Sequence, residues 1–186
     1  MDTHRTARLN PPLHGPRLHL EPMRERHAEA LFPVLADPEL YRWIDQGPPA
    51  SPDRLRDVYR RIECRQSPDG LEKWLNWVLF ANNQPGPLGF VQASLLSDGR
   101  AWVAYVLGRS AWGQGYAAEA VAALLEHLFG ALGAHQAMAT VEQDNTRSIA
   151  LLLRLGFQRA SAAALQGHEL TATEQLWLLD APSASG

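Results

Sequence analysis

The spacing of apolar positions changes period several times along the chain, and each change marks a predicted element. Residues 17–22 (RLHLEP) alternate, which predicts a strand, and residues 24–35 then place apolar side chains on one helical face. Ser51 has the side chain of an N-cap, and apolar residues behind it follow the i, i+3, i+4, i+7 spacing of a second helix that ends before Ser67. The chain is therefore predicted to start with a strand and two helices.

Three strand-like segments occupy the middle of the chain. They cover residues 74–80, 88–96 and 101–107, and turn-forming residues at 82–86 and 97–99 separate them. In the third segment the residues on both faces are apolar, so this strand is expected to lie in the centre of a sheet.

In the last third of the chain, segments with helical spacing of apolar residues alternate with segments that have strand-like spacing. It predicts a long helix at 115–132, a strand at 136–142, a helix at 146–155, and strands at 157–164 and 174–179. The predicted order, β-α-α-β-β-β-α-β-α-β-β, describes an α/β (α+β) fold in which a mixed sheet carries helices. We expect residues 1–15 to form a loose leader, residues 16–180 a single domain, and residues 181–186 (APSASG) a tail.

Composition narrows the possible partners. The 186 residues include 46% hydrophobic and 20% charged residues, and the net charge is −3, which does not indicate nucleic-acid binding. Cys64 is the only cysteine, no secretory signal precedes the domain, and the longest apolar run, AWVAYVL, is far shorter than a membrane span. The seven histidines include no pair at i, i+4, so no metal site is predicted. These features favour a cytoplasmic protein without a membrane or nucleic-acid partner.

The junction between the third middle strand and the long helix carries the clearest chemical signal. Its sequence, GRSAWGQGY at residues 108–116, places several glycines before a helix. Glycine allows a tight turn and leaves backbone N–H groups uncovered, and the first N–H groups of a helix lack intrahelical acceptors. Such a turn suits an anionic phosphate, although a plain glycine-rich connection is an equal interpretation of the turn alone.

A dinucleotide-binding interpretation of the same turn is also open. Gly113, Gly115 and Ala118 fit a G-x-G-x-x-A pattern, and Glu142 lies near the distance expected for an acidic residue that binds ribose. However, that fingerprint normally follows the first strand of a βαβ unit directly, whereas about 100 residues precede it here. The interpretation is therefore the weaker one.

Three spaced motifs resemble the GNAT (Gcn5-related) N-acetyltransferase superfamily, and more narrowly its branch that acetylates the N-termini of ribosomal proteins. The motifs are W-G-x-G-Y-A-x-E-A at residues 112–120, N-x-x-S at 145–148 and L-G-F at 155–157. The resemblance extends from about residue 17 to residue 179, and in the first half it rests mainly on element order. It implies a mostly antiparallel, twisted sheet flanked by helices, and direct transfer of an acetyl group from acetyl-CoA to a primary amine.

The resemblance also implies where acetyl-CoA binds. The pantetheine arm would run beside Val106 and Leu107, and backbone N–H groups of the glycine turn would hold the pyrophosphate. The residues of that turn are Gly113, Gln114, Gly115, Tyr116 and Ala117. Asn145 would contact CoA or cap a helix. Ser110 stands where the family pattern has Gln or Arg, which leaves Arg109, one place earlier, as a candidate phosphate contact.

The catalytic groups are less clearly indicated. Glu142, at the end of a strand, is a candidate general base, and a solvated carboxylate is the alternative. A backbone N–H near Val106 is the candidate oxyanion donor. Many relatives use a tyrosine as the general acid, and the matching position here is Leu152, so Ser148 becomes the weaker candidate. Deprotonating lysine at pH 7 costs about 4.6 kcal/mol and deprotonating an α-amine about 1–1.4 kcal/mol, so an α-amine needs less help.

Several residues have both a structural and a functional interpretation. Cys64 is predicted to be structural, and Glu119 to favour the helix dipole or fix neighbouring backbone. Trp43, Trp74 and Trp77 could line an acceptor site or fill the core. The alternatives to an N-acetyltransferase are a non-catalytic acetyl-CoA sensor and a nucleotide-dependent oxidoreductase. The acceptor, whether a protein or peptide N-terminus or a small-molecule amine, and the oligomeric state are not indicated.

Overall fold

Alternating segments of the chain form one sheet. The structure is a computed structural model that describes residues 9–183, and in this range eight strands pair in the order β1-β2-β3-β4-β5-β6-β8-β7. The strands are β1 (Leu13–His14), β2 (Leu18–Pro22), β3 (Glu72–Ala81), β4 (Pro87–Leu96), β5 (Arg100–Leu107), β6 (Gln136–Glu142), β7 (Gln158–Arg159) and β8 (Glu174–Asp180). Apart from the parallel β5–β6 pair, neighbouring strands in this range are antiparallel.

Helices cover both faces of this sheet. They are α1 (Ala28–Leu35), α2 (Pro52–Ile62), α3 (Tyr116–Glu126) and α4 (Thr146–Arg154). Helices α1 and α2 share a buried cluster with Val78 of β3 and Phe90 of β4, and we call this side the α1–α2 face. The opposite side, the α3–α4 face, holds a larger cluster that includes Trp77, Leu124 and Leu152. The predicted α/β class, with a mixed and mostly antiparallel sheet flanked by helices, is confirmed.

Strand β5 lies in the centre of the sheet, between β4 and β6, as its two apolar faces predict. Val103, Tyr105 and Leu107 belong to the cluster of the α3–α4 face. Val106 packs against the cluster of the α1–α2 face. The strand therefore separates two cores, which explains the near absence of polar side chains along it.

The structure differs from the prediction at residues 9–15, which the sequence suggests belong to a loose leader. Strand β1 pairs with β2, and the Asn10 side chain bonds to the backbone of Asn76 in β3 through both its oxygen and its nitrogen. Asn10 thus bonds like a strand residue in a segment without strand-like spacing. Residues 1–8 and 184–186 of the predicted leader and tail lie outside the described residues.

Two further element boundaries differ from the prediction. The strand predicted at 157–164 is only Gln158–Arg159, because a turn in which Ala164 N–H bonds to the Ser161 carbonyl directs the chain off the sheet. The long helix predicted to reach residue 132 is α-helical to Glu126 and continues as a π-helical turn over His127–Ala131. The Leu132 N–H group bonds to the His127 carbonyl, five residues back, which is the spacing of a π-helix.

Candidate functional site

A gap between β5 and β6 dominates the site. The two strands pair only where Arg100–Trp102 meets Gln136–Met138. Beyond these residues β5 stays paired with β4, and β6 stays paired with β8. Toward their C-terminal ends the two strands therefore separate, and backbone groups on that edge of β5 are left without a strand partner.

Alternation along β5 decides which backbone groups face the gap. The Gly108 N–H group donates to the Leu88 carbonyl of β4 at 2.8 Å. Because alternate residues of an antiparallel pair bond to the same partner, Val106 also faces β4, whereas Tyr105 and Leu107 face the gap. The predicted backbone contact therefore suits Leu107 and its neighbour Tyr105, and the backbone of Val106 is occupied within the sheet.

The glycine turn follows directly at the open end of β5. Gly113 and Gly115 have φ values of +72° and +80°, in the left-handed region where a side chain would be strained. Gly115 is the N-cap of α3 and offers no side-chain cap, so the first N–H groups of this helix remain available. Together with the positive end of the helix dipole, they suit an anionic group.

Two arginines that are distant in sequence border this turn. Arg17 and Arg154 line a depression of about 540 Å³ together with residues of the turn and of α3. Arg17 donates from Nη1 to the Gln114 carbonyl at 3.0 Å, and from Nε to Glu119 Oε2 at 2.9 Å. Glu119 also accepts from the Arg17 backbone N–H at 2.6 Å, so this carboxylate fixes neighbouring backbone, one of the two roles predicted for it.

The other predicted CoA contacts have protein partners. Arg109 lies on a 3-10 turn, and its Nη1 is 3.8 Å from Asp37 Oδ2, so its side chain forms an ion pair. Asn145 caps α4 by accepting the Ser148 N–H on Oδ1 at 3.2 Å. Its amide nitrogen is the part that could still reach a ligand.

The candidate catalytic side chains lie on opposite faces of the sheet. Met138 of β6 pairs with Trp102 of β5, so both side chains point to the α1–α2 face. Glu142 is four residues after Met138 on the same strand and therefore points to that face too. Ser148 lies on α4, on the other face, beside the phenol of Tyr105. Leu152, at the position where the family resemblance implies a tyrosine, is completely buried and offers no hydroxyl.

A polar pocket of about 190 Å³ opens on the α1–α2 face, one strand away from the gap. It is lined by Ile62, Trp74, Asn76, Gln92, Ala93 and Ser94. Gln92 lies directly opposite Ala104 of β5 and next to Asn76 of β3, so these side chains form a row across the sheet toward the gap. The lining residues include amides and a hydroxyl, and none of them is charged.

Comparison with known proteins establishes the family. The chain matches the family described as "Acetyltransferase (GNAT) domain" over residues 17–158. It belongs to this family. The uncharacterized N-acetyltransferase p20 of Bacillus licheniformis is 32% identical over 147 residues, which cover 79% of this chain and 82% of that protein.

Two solved structures share the fold of this GNAT protein. RimJ from Mycobacterium smegmatis, solved in complex with CoA-disulfide, has a TM-score of 0.75 at 22% identity, over 94% of this chain and 88% of that one. A GNAT-family acetyltransferase from Bacillus anthracis has a TM-score of 0.72 at 17% identity, over 91% and 98% of the two chains. The resemblance to the GNAT superfamily is thereby confirmed, and the protein is an acyltransferase of a family that uses acetyl-CoA. The likeness to RimJ shows a shared fold, and membership of the Rim-type branch stays a prediction.

The GNAT fold also decides against the dinucleotide interpretation of the glycine turn. A dinucleotide-binding fold needs a largely parallel sheet of βαβ units. Here only β5 and β6 are parallel among the strands of residues 9–183. Gly113 and Gly115 therefore belong to the turn of an acetyltransferase.

The tryptophans and the cysteine with both a structural and a functional interpretation lie in different environments. Trp77 is fully buried and its indole donates to the Pro11 carbonyl, Trp74 lines the polar pocket, and Trp43 is exposed beneath the Arg42 guanidinium. Cys64 is exposed on the chain after α2, and its thiol contacts the Gln66 carbonyl. Among the described residues there is no cluster of metal-ligating side chains and no helix long and apolar enough to span a membrane.

Proposed function

We propose that this GNAT protein transfers an acetyl group from acetyl-CoA to an α-amine on an uncharged, hydrogen-bonding acceptor, such as the N-terminus of a peptide. One observation carries the proposal. The β5–β6 gap lies between a glycine turn that suits an anion and, one strand away on the α1–α2 face, an uncharged polar pocket. This placement supports a reaction in which two substrates approach the same edge of β5 from different sides.

The residues of the turn fit the phosphates of CoA. The open N–H groups from Gly113 to Ala117 and the Arg154 side chain provide donors and positive charge for an anion. Arg17, whose charge is paired with Glu119, adds only further N–H donors. The backbone of Tyr105 and the N–H group of Leu107 suit the amides of a pantetheine arm, whereas the Leu107 carbonyl already accepts from the Trp112 indole. Bound acetyl-CoA supplies an acetyl group activated as a thioester, and a β5 N–H group in the gap can stabilise the oxyanion.

The pocket favours one class of acceptor. Asn76, Gln92 and Ser94 can bond to amide or hydroxyl groups, but no lining carboxylate compensates the multiple charges of a polyamine or an aminoglycoside. An α-amine also costs only about 1–1.4 kcal/mol to deprotonate at pH 7. Both features support a peptide-type α-amine over a polycation or a lysine side chain.

In this proposal, the groups that remove the proton from the amine and donate a proton to the sulfur lie on opposite faces of the sheet. Glu142, on the acceptor face, takes the proton that the amine nitrogen loses, directly or through water. Ser148, on the α3–α4 face, gives a proton to the departing sulfur. The overall exchange is balanced, because one proton leaves nitrogen and one arrives on sulfur.

The test is release of CoA thiol with matched amines. An uncharged dipeptide amide with a free α-amine should give faster thiol release than Nα-acetyl-lysine amide or spermidine at equal concentration. Faster turnover of spermidine would contradict the proposed acceptor class. Tight acetyl-CoA binding without thiol release from any amine would instead support the non-catalytic sensor.

A further inference from the structure

The phenol oxygen of Tyr105 is a buried polar atom without a hydrogen-bond partner. It shares this state with Tyr59 Oη and Trp177 Nε1 among the described residues. An unsatisfied buried polar group costs about 1–3 kcal/mol of folding free energy, so such atoms call for an explanation. Of the three residues, Tyr105 is the one whose backbone borders the β5–β6 gap.

The surroundings of Tyr105 point toward Ser148. Tyr105 lies on β5 beyond the last residue that pairs with β6, and its side chain points to the α3–α4 face. Ser148, on α4, is half-buried and lies beside the phenol, close enough to lower its pKa, while the larger effect of burial raises it. The raised pKa keeps the phenol protonated at neutral pH, so it can act as a proton donor.

We propose that Tyr105 is a positioning residue that holds the Ser148 hydroxyl and supplies it with a proton during acetyl transfer. This rests on the proposed function. As the carbon–sulfur bond breaks, Ser148 gives its proton to sulfur and takes the Tyr105 proton. After CoA leaves, the buried phenolate regains a proton from water through the half-buried Ser148 hydroxyl. Serine alone would be left as an alkoxide, whereas a phenol, with an ordinary pKa of about 10, carries the charge far more readily.

This arrangement also accounts for the absence of a tyrosine hydroxyl at position 152. Leu152 is completely buried in the core, so no side chain at that position can donate a proton. The Tyr105 phenol approaches from the neighbouring strand instead. Its unsatisfied state is then the cost of keeping a donor ready for Ser148.

Replacing Tyr105 with phenylalanine separates a catalytic effect from a structural one. Tyr105→Phe should lower kcat for the dipeptide amide by roughly 10- to 100-fold and leave the KM for acetyl-CoA unchanged. Because the change removes an unsatisfied buried hydroxyl, the midpoint of thermal unfolding should stay the same or rise. Tyr59→Phe, which removes an equally unpartnered hydroxyl within the α1–α2 cluster, should leave kcat unchanged.

A second readout needs no turnover. In protein labelled with 13C at tyrosine Cζ, the Tyr105 resonance, identified by its loss in Tyr105→Phe, should titrate above the ordinary pKa of 10.0. Since the Ser148 hydroxyl lowers this pKa, Ser148→Ala should shift the titration further upward. Thr146→Ala, at an exposed position of the same helix, should not shift it.

Two outcomes would overturn the inference and leave the proposed function intact. One is an active wild-type protein whose Tyr105→Phe variant retains its kcat, and the other is a Tyr105 titration that Ser148→Ala does not move. A wild-type protein that binds acetyl-CoA but acetylates no amine would instead overturn the proposed function, while the titration still reports on the Tyr105–Ser148 contact.

Discussion

Trp112 links three parts of the site through its side chain. Its indole N–H donates to the Leu107 carbonyl at 2.7 Å, at the end of β5. The Arg147 guanidinium, from α4, lies 4.8 Å from the centre of its ring. One residue thus fixes the glycine turn, the edge of the gap and the helix that carries Ser148, in a geometry that cation–π stacking stabilises.

The His27 imidazole predicts how stability depends on pH. Burial, and secondarily the charge of Arg26, lowers its pKa below the ordinary 6.5, although Glu21 opposes the shift. At mildly acidic pH, His27 therefore binds a proton more readily in the unfolded chain than in the folded one. The folded state has its full stabilisation from neutral His27 above pH 6.5 and loses it as the pH falls through the folded pKa.

Urea unfolding of the wild-type protein should accordingly give a smaller free energy of unfolding at about pH 5.5 than at about pH 7.5. His27→Gln removes the titrating group, so its unfolding free energy should change less between these two conditions. Equal pH dependence in both proteins would show that another group is responsible.

Residues 9–15 act as part of the sheet, and Asn10 is the residue that ties them to it. Asn10 Oδ1 accepts from the Asn76 N–H and from Arg65 Nη1, both at 3.0 Å. Arg65 is buried with an unusual φ of +60°, and it also donates to the Met23 carbonyl at 2.6 Å. Asn10 therefore forms hydrogen bonds with both the buried Arg65 guanidinium and the backbone of β3.

Replacing Asn10 with alanine tests this role. Asn10→Ala removes one of the two acceptors of the buried Arg65 guanidinium and leaves the Asn76 N–H group without a partner, so the free energy of unfolding should fall by about 2–3 kcal/mol. Asn83→Ala, at an exposed turn position, should change it by less than about 0.5 kcal/mol. An Asn10→Ala variant as stable as wild type would show that the segment does not contribute to folding.

The elements that the sequence predicts well are those that bury one regular face. The strand predicted at 136–142 matches β6, and the predictions for β3, β4, β5 and α4 differ from the structure by at most two residues at each end. The prediction fails where single side chains decide the path. The Asn10 side chain attaches a polar segment to β3, and the turn at Ser161 shortens β7. Neither contact produces a periodic pattern of apolar residues in the sequence.

The same distinction applies to the site. The glycine turn is a local pattern, so the sequence alone indicates it. Arg17 reaches Glu119 across 102 positions, and Arg154 and Tyr105 join the site only because the sheet and helices bring them there. No spacing rule identifies such long-range partners in a single sequence.

At the scale of the whole molecule, the proposed function assigns the two substrates to the two faces of one sheet. The α3–α4 face carries the glycine turn and the hydroxyls of Tyr105 and Ser148, and the α1–α2 face carries the polar pocket and Glu142. The β5–β6 gap lies between them. In the proposal, acetyl-CoA and the acceptor approach the same edge of β5 from these two faces.

Calorimetric titration with acetyl-CoA tests the central claim most directly, using wild type, Gly115→Asp and the matched control Gly130→Asp. Gly130 is exposed near the opposite end of the α3 segment, where an added side chain meets nothing within 4 Å. Wild type and Gly130→Asp should bind one equivalent with equal affinity. Gly115→Asp, which strains the turn and places a carboxylate beside the phosphates, should bind at least roughly tenfold more weakly. Unchanged affinity in a folded Gly115→Asp protein would contradict the proposed site.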